Sequence, residues 1–234
     1  MRSLFKKSLL PAVILAAAFG TLVFPSAAGA GTLVLYKNAL NTTAGRTDLR
    51  LTAPRAECVR GGSPKALRFR LGKLAKECFY RTPLVGMNLQ ISGTARIFKS
   101  TPRKVLRRTY AGISLRQHTD GSRYQFVVWP WTRRYGLRKV QPDGTVLNLG
   151  SRKAGNKVRG PGLANRLTLR AFTGPRGVTQ VIGWANGHKL AVAADRQGTS
   201  LVGRDSTISI GSKNRARGAI GSFVNLSISV RDPN

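Results

Sequence analysis

The stretch "RYQFVVWPWTRRYGLRKVQPDGTV", residues 123–146, decides the fold. Its first seven residues alternate along an extended chain, with Tyr124, Phe126 and Val128 on one side and Gln125, Val127 and Trp129 on the other. Pro130 has no amide hydrogen to give to a ladder, so the strand should end there and leave Trp131 and Thr132 at or near a hairpin tip. Tyr135 and Leu137 begin a return strand, and Asp143-Gly144 marks a second hairpin. An amphipathic helix repeats its apolar residues every three to four positions, whereas here they recur every two.

The same period continues in both directions. "ALRFRLGK" (66–73) sets Leu67, Phe69 and Leu71 against Arg68 and Arg70, and "NLQISGTARIF" (88–98) sets Leu89 and Ile91 against Gln90 and Ser92. "AGISLRQ", "TVLNLGS", "NRLTLRAF", "VTQVIGWA", "HKLAVAAD", "STISIGS" and "AIGSFVNLSISV" follow suit. Asn186-Gly187 reads as a two-residue type I′ hairpin, which needs positive φ twice, and Asp120-Gly121 as a further hairpin turn. Roughly a dozen strands with hairpin spacing and no crossover helices predict an antiparallel all-β domain. At about 200 residues, one two-sheet sandwich fits better than two small domains. The longest break is the loop "KSTPRKVLRRTYAG" (99–112).

Residues 1–30 stand apart from this pattern. Arg2, Lys6 and Lys7 precede an apolar run from Leu9 to about Phe24, and Ala28-Gly29-Ala30 closes it as a cleavage pattern. That order is a secretory signal peptide, and Pro11, Gly20 and Pro25 suit removal better than spanning. An uncleaved N-terminal anchor is the alternative. The expected product is residues 31–234, a single domain with no membrane span, secreted to the extracellular side. Cys58 and Cys78 would then meet oxidising conditions and form a disulfide, with two free buried thiols as the rival reading. Two Cys and two distant His make no zinc spacing, so no metal is expected.

The whole chain holds 40 Lys and Arg against 8 Asp and Glu, a net charge of +32. Without the leader, whose only charges are three cations, the net charge is +29. Such a body attracts polyanions, while a hydrophobic content of 41% excludes a disordered basic tail.

From Gly112 onward the order of motifs resembles a known family. "GISLRQHTDGSRYQFVV", "NRLTLRAF", "VIGWANGHKL" and "AIGSFVNLSISV" are similar to the concanavalin A-like lectin/glucanase superfamily. The likeness is to its LamG-like jelly-roll branch, which includes 3-keto-disaccharide hydrolase-like domains. The matching positions are Asp120-Gly121, Tyr124, Phe126, Asn165, Leu167, Leu169, Asn186-Gly187 and Phe223 to Ile228. The resemblance implies a jelly-roll β-sandwich with sugar-related function. It departs at Lys37 and Asn38, where members that hold calcium carry carboxylates, and at Ser222 and Asn225 of the last strand.

No catalytic constellation is legible. The glucanases of this superfamily carry E-x-D-x-x-E on one strand, and no such run is present. Asp120 and Asp143 are accounted for by turns. Glu57 and Glu77, each preceding a Cys, are the only carboxylates that could pair, and salt bridges to neighbouring Arg are their simpler role. No nucleophile elbow, P-loop or dinucleotide fingerprint occurs, so no cofactor is implied. His118 and His188 sit beside turns, as surface residues do.

The expectation is therefore a secreted, non-catalytic, lectin-like domain that binds glycan or acidic cell-envelope polymer. The candidate ligand-binding residues are Trp129, Trp131, Arg133, Arg134, Tyr135 and Arg138. Aromatic faces suit sugar C–H groups, and Arg suits hydroxyls and acidic groups. The alternative for both Trp is that they cap the sandwich core; Trp184, within a strand, is expected in the core. Four clusters of cations add to the picture: Lys99 to Arg108, Arg133 to Lys139, Arg152 to Arg159, and Lys213 to Arg217. Two other functions remain: an electrostatic polyanion or nucleic-acid binder without sequence readout, and a glycoside-processing enzyme. Whether the cationic loops converge on one face separates specific binding from general charge.

Overall fold

The computed structural model describes residues 32–42, 46–51, 58–63, 66–72, 76–195, 201, 203–212 and 217–231. The expected leader (1–30) lies outside them, as do Glu57, Lys213, Arg215 and Asp232.

The described chain is nearly all strand. It begins with β1 (Thr32–Asn38), β2 (Arg50–Leu51), β3 (Cys58–Ser63), β4 (Ala66–Leu71), β5 (Glu77–Val85) and β6 (Leu89–Ile97). A single turn of helix, α1 (Arg103–Leu106), then leads to β7 (Thr109–Gln117), β8 (Arg123–Trp129), β9 (Arg134–Val140) and β10 (Val146–Lys153). The rest is β11 (Asn165–Thr173), β12 (Thr179–Ala185), β13 (His188–Asp195), β14 (Asp205–Ser212) and β15 (Ile220–Arg231). The break at 99–112 is thus shorter than the sequence suggests, because β7 already starts at Thr109.

The strands form two antiparallel sheets. The eight-stranded sheet runs β13-β12-β11-β6-β15-β4-β3, with β1 also on β15; the seven-stranded sheet runs β10-β9-β8-β7-β14-β5-β2. Sequence neighbours such as β6 and β7 fall in different sheets, the pattern of a jelly-roll sandwich. The turns follow the side chains that need them: Asn186 and Gly187 have φ of 52° and 83°, as a type I′ hairpin requires.

Alternation sets what is inside. Leu67 and Phe69 of β4, Ile91 and Ile97 of β6, Leu167 and Leu169 of β11, and Phe223 and Ile228 of β15 point inward from one sheet. Tyr80, Ile113, Phe126, Leu137, Ile208 and Ile210 meet them from the other. Phe69 packs edge-on to Tyr80 across the layer, with ring centroids 5.0 Å apart. Each such side chain contributes about 1.5–3 kcal/mol. Cys58 and Cys78 are joined in a disulfide, tying β3 of one sheet to β5 of the other.

Two features depart from simple alternation. Trp184 is not in the core: it stands half-buried on the outer face of the eight-stranded sheet, because its neighbours Val181, Gly183 and Ala185 take the inner positions. Arg116, at φ 55°, turns inward and is fully buried. It donates to the carbonyl of Met87, to Asn88 Oδ1 and to the hydroxyls of Thr173 and Thr179, at 2.7–3.1 Å. Close by, Asp195 accepts from Tyr124 and, at 2.7 Å, from Lys139 Nζ. This buried polar seam joins the sheets at one end of the sandwich. Among the described residues no helix is long and apolar enough to cross a membrane.

Candidate functional site

The loops at the other end carry most of the cationic clusters, and backbone bonds draw them together. The amide of Ala154 donates to the carbonyl of Arg133 (2.7 Å) and that of Gly162 to Ile97 (2.7 Å). The amide of Phe98 donates to Ile220 (3.0 Å), and Asn186 Nδ2 to the carbonyl of Lys157 (2.8 Å). The α1 segment, the β8–β9 turn, the β10–β11 loop and the described part of the β14–β15 loop therefore meet at one end. Asp120 and Asp143 occupy turns at the opposite end, where Asp195 and Asp205 also lie.

Trp131 stands at this basic end. Its partly buried ring packs against the core, and the guanidiniums of Arg103 and Arg107 sit 5.6 and 5.7 Å from its centre. Arg133, in a left-handed conformation, is exposed and donates to Asn156 Oδ1 at 3.0 Å. Arg134 is exposed at the start of β9.

From that end an aromatic and charged strip runs across the outer face of the seven-stranded sheet. Trp129 projects outward from β8, as the alternation requires, and Tyr110 from β7. Their rings lie edge to face, 5.7 Å apart. Each rests on a glycine of a neighbouring strand. A Cβ added at Gly211 would stand 2.3 Å from the Tyr110 ring, and one at Gly136 would stand 3.1 Å from the Trp129 indole. Arg138, from β9, lays its guanidinium over both rings, 4.5 Å from Tyr110 and 5.8 Å from Trp129.

Hydrogen bonds fix the strip. Arg138 Nε donates to Gln125 Oε1 (2.9 Å), and Gln125 Nε2 donates to Ser209 Oγ (3.2 Å) and to Glu77. Glu77 Oε2 accepts from Arg123 Nη2 at 2.6 Å, and both side chains are only 11% exposed. Burial pushes the Glu77 carboxyl up. Arg123, Arg138 and hydrogen bonds from Ser209 and Gln125 outweigh that and hold it below the ordinary carboxylate range. Tyr110 moves the other way: burial, and then the nearby Glu77 charge, hold its phenol protonated well above the usual value. Ser114 and Thr207, register partners on the same face, are buried hydroxyls without a hydrogen-bond partner among the described residues.

Chemically, Trp129 and Arg138 are the part-exposed members of the strip, while Tyr110, Gln125 and the Arg123–Glu77 ion pair that hold them in place are buried or nearly so. Glu77 is occupied by Arg123 and Gln125, and no second described carboxylate joins it in the hydrogen-bond network. A two-carboxylate hydrolysis needs a partner on the other side of the bond. Glu57, the other half of the pair suggested by sequence, lies outside the described residues.

Of the six residues singled out in the sequence, Trp129 and Arg138 meet in the strip and Trp131, Arg133 and Arg134 stand at its basic end. Tyr135 does not belong with them. It is 7% exposed and packs in the core 6.2 Å from Phe126, because it pairs with the inward-facing Val128. Sequence reading missed Tyr110, Arg123 and Gln125, and read Glu77 only as a salt-bridge partner. The signal for Glu77 was present: with Cys78 turned inward to its disulfide, Glu77 must face out.

No protein-family description matches the chain, and no curated protein does. Solved structures do. A galectin-like protein of unknown function from Bacillus subtilis aligns over 87% of this chain and 99% of its own, with TM-score 0.61 and 11% identity. The carbohydrate-binding module CBM66 from Bacillus subtilis aligns over 77% and 94%, with TM-score 0.55 and 11% identity. The kappa-carrageenase from Pseudoalteromonas carrageenovora, in complex with an oligotetrasaccharide of kappa-carrageenan, aligns over 92% and 100%, with TM-score 0.57 and 7% identity. Binding modules and glycoside-cleaving enzymes thus both stand among the structural neighbours, and what they share with this chain is the concanavalin A-like, galectin-like jelly-roll fold.

Proposed function

We propose that this protein is an exported, non-catalytic lectin-like module that binds acidic glycan along the outer face of the seven-stranded sheet. The observation that carries the reading is the Arg138 guanidinium laid over Tyr110 and Trp129, next to loops that concentrate cations at one end. The half-buried Trp129 ring offers apolar contact to sugar C–H groups, while Arg138 and the loop arginines offer donors to carboxylate or sulfate. The disulfide suits an oxidising compartment, and structural neighbours that include a carbohydrate-binding module support sugar as the ligand class.

The test is affinity electrophoresis through gels containing a uronate polymer, a sulfated galactan or a neutral glucan. The acidic polymers should retard the protein and the neutral one should not. Trp129→Ala and Arg138→Met should each weaken retardation about tenfold, equivalent to about 1.4 kcal/mol. Equal retardation by the neutral glucan, or no retardation by any polymer, would overturn the proposal.

The convergence of the cationic loops favours a second reading, an electrostatic polyanion binder without sugar readout. Under it, Trp129→Ala changes nothing, double-stranded DNA binds as well as uronate polymer, and affinity falls steeply with salt.

A further inference from the structure

The eight-stranded sheet turns a separate face to solvent, away from the strip described above. Register places its side chains. Arg68 of β4 and Arg96 of β6 flank Ser222 of β15 in one row across the sheet. In the next row Arg166 of β11 lies beside Thr94 of β6, and further along Thr168 pairs with Trp184 and Ser92. Arg68, Arg96 and Arg166 are exposed, and Trp184 is half-buried with its ring on this side.

Three shallow depressions of about 330, 280 and 320 Å³ follow one another over these rows. The first and second share Thr94, and the second and third share Arg166, so they form one track. Its lining mixes polar side chains (Gln90, Thr94, Ser222, and Thr168, which is bonded to Ser92 at 2.9 Å) with apolar ones (Phe98, Val224 and Leu226). No carboxylate lines any of the three depressions, and none of the four ion pairs among the described residues involves a cation of this face.

We propose that this track is a second binding surface for a chain of acidic sugars, so that one molecule joins two polymer chains. Spaced guanidiniums over a mixed lining of hydroxyl, amide and apolar groups match a polymer that carries an acid group, several hydroxyls and apolar ring C–H groups per unit. A nucleic-acid strand fits the same charge less well. Single strands are held by successive aromatic platforms, and here Phe98 is covered by Arg68 (5.1 Å) and Phe172 by Arg170 (4.6 Å), leaving the Trp184 ring. Because the two sheets stack with their inner faces together, their outer faces point in opposite directions. Occupation of both makes the protein a cross-linker, and attachment through two sites raises avidity.

The experiment compares three proteins mixed with polygalacturonate at rising protein-to-polymer ratio, reading turbidity and, in parallel, gel retardation. The wild type should cross-link the polymer and scatter light. Arg68→Ser/Arg96→Ser/Arg166→Ser, all at exposed positions, should bind but no longer cross-link. The triple variant should keep its retardation within about threefold at low polymer concentration, where single-face binding dominates. Trp129→Ala/Arg138→Met should also stop cross-linking and keep only the weaker retardation that the track supplies, at least about tenfold below the wild type. Far-UV spectra and melting curves confirm that each variant is folded. Cross-linking of polygalacturonate by the triple variant at wild-type level overturns the second surface. If instead only the Trp129/Arg138 variant behaves as the wild type, the second surface stands and the site proposed on the seven-stranded sheet fails.

Discussion

Glu77→Gln separates a structural carboxylate from a catalytic one. In the wild type the carboxylate accepts from Arg123 at 2.6 Å and from Gln125, and the ion pair is only 11% exposed on either side. The substitution keeps the shape and removes the charge, so Arg123 remains largely buried without a counter-ion. Breaking a buried pair from one side costs about 3–5 kcal/mol. The isosteric amide can still accept one hydrogen bond, which places the loss near the lower end, about 3 kcal/mol. For a domain of this size that is a fall in Tm of about 6–12 °C, measurable by calorimetry, or a urea midpoint lower by about 1.5 M.

The pH dependence gives an internal control. The Glu77 pKa is lowered in the folded state, so its contribution is fully present above the unfolded value of about 4.3 and is lost as pH falls through the lower folded value. The stability gap between wild type and variant should therefore be widest at pH 7 and shrink towards about pH 3. Binding to acidic polymer at low temperature should not fall, because a negative charge has left the strip. A stability loss below about 0.5 kcal/mol, the range of an exposed pair, or a gap that does not depend on pH, would refute this account of Glu77. Loss of a measurable glycan-cleaving activity in a variant that keeps its stability would assign the residue to catalysis.

Other expectations rest on different parts of the fold. Cys58→Ser/Cys78→Ser should cost about 3 kcal/mol, seen as a lower Tm that matches wild type under reductant; equal melting with and without reductant refutes it. Asp195→Ala should destabilise by about 3–5 kcal/mol in urea titration, since Lys139 loses its 2.7 Å partner inside the polar seam. Asp195→Leu/Lys139→Met should recover most of that loss, and no recovery would mean the packing was misjudged. Gly136→Val should lift the Trp129 indole from its 3.1 Å rest, change the near-UV spectrum and weaken polymer binding. Unaltered binding would show that the orientation of that ring does not matter.

Much of the fold was written locally. The period-two pattern of residues 123–146 gave two strands and the faces of their side chains, and the faces of Phe126, Gln125 and Trp129 are as expected. Turn chemistry was equally legible, because Asn186-Gly187 needs a backbone conformation that few residue pairs accept. Legibility stopped where a position is decided by what lies across the sandwich. Trp184, among Ile182, Gly183 and Ala185, faces solvent, while Tyr135, after Arg133 and Arg134, faces Phe126, and residue type alone does not say which aromatic goes inside.

Composition and alternation alone therefore determined an antiparallel two-layer protein with an excess of cations, since strand period and net charge are properties of neighbouring residues and of sums. Where the charge gathers was decided only in three dimensions. Residues as distant as Glu77, Tyr110, Arg138 and Ser209 share one strip because strand order in the jelly roll brings β5, β14, β7, β8 and β9 side by side. That order is set by how whole sheets close over a common interior, a non-local choice that no segment carries by itself.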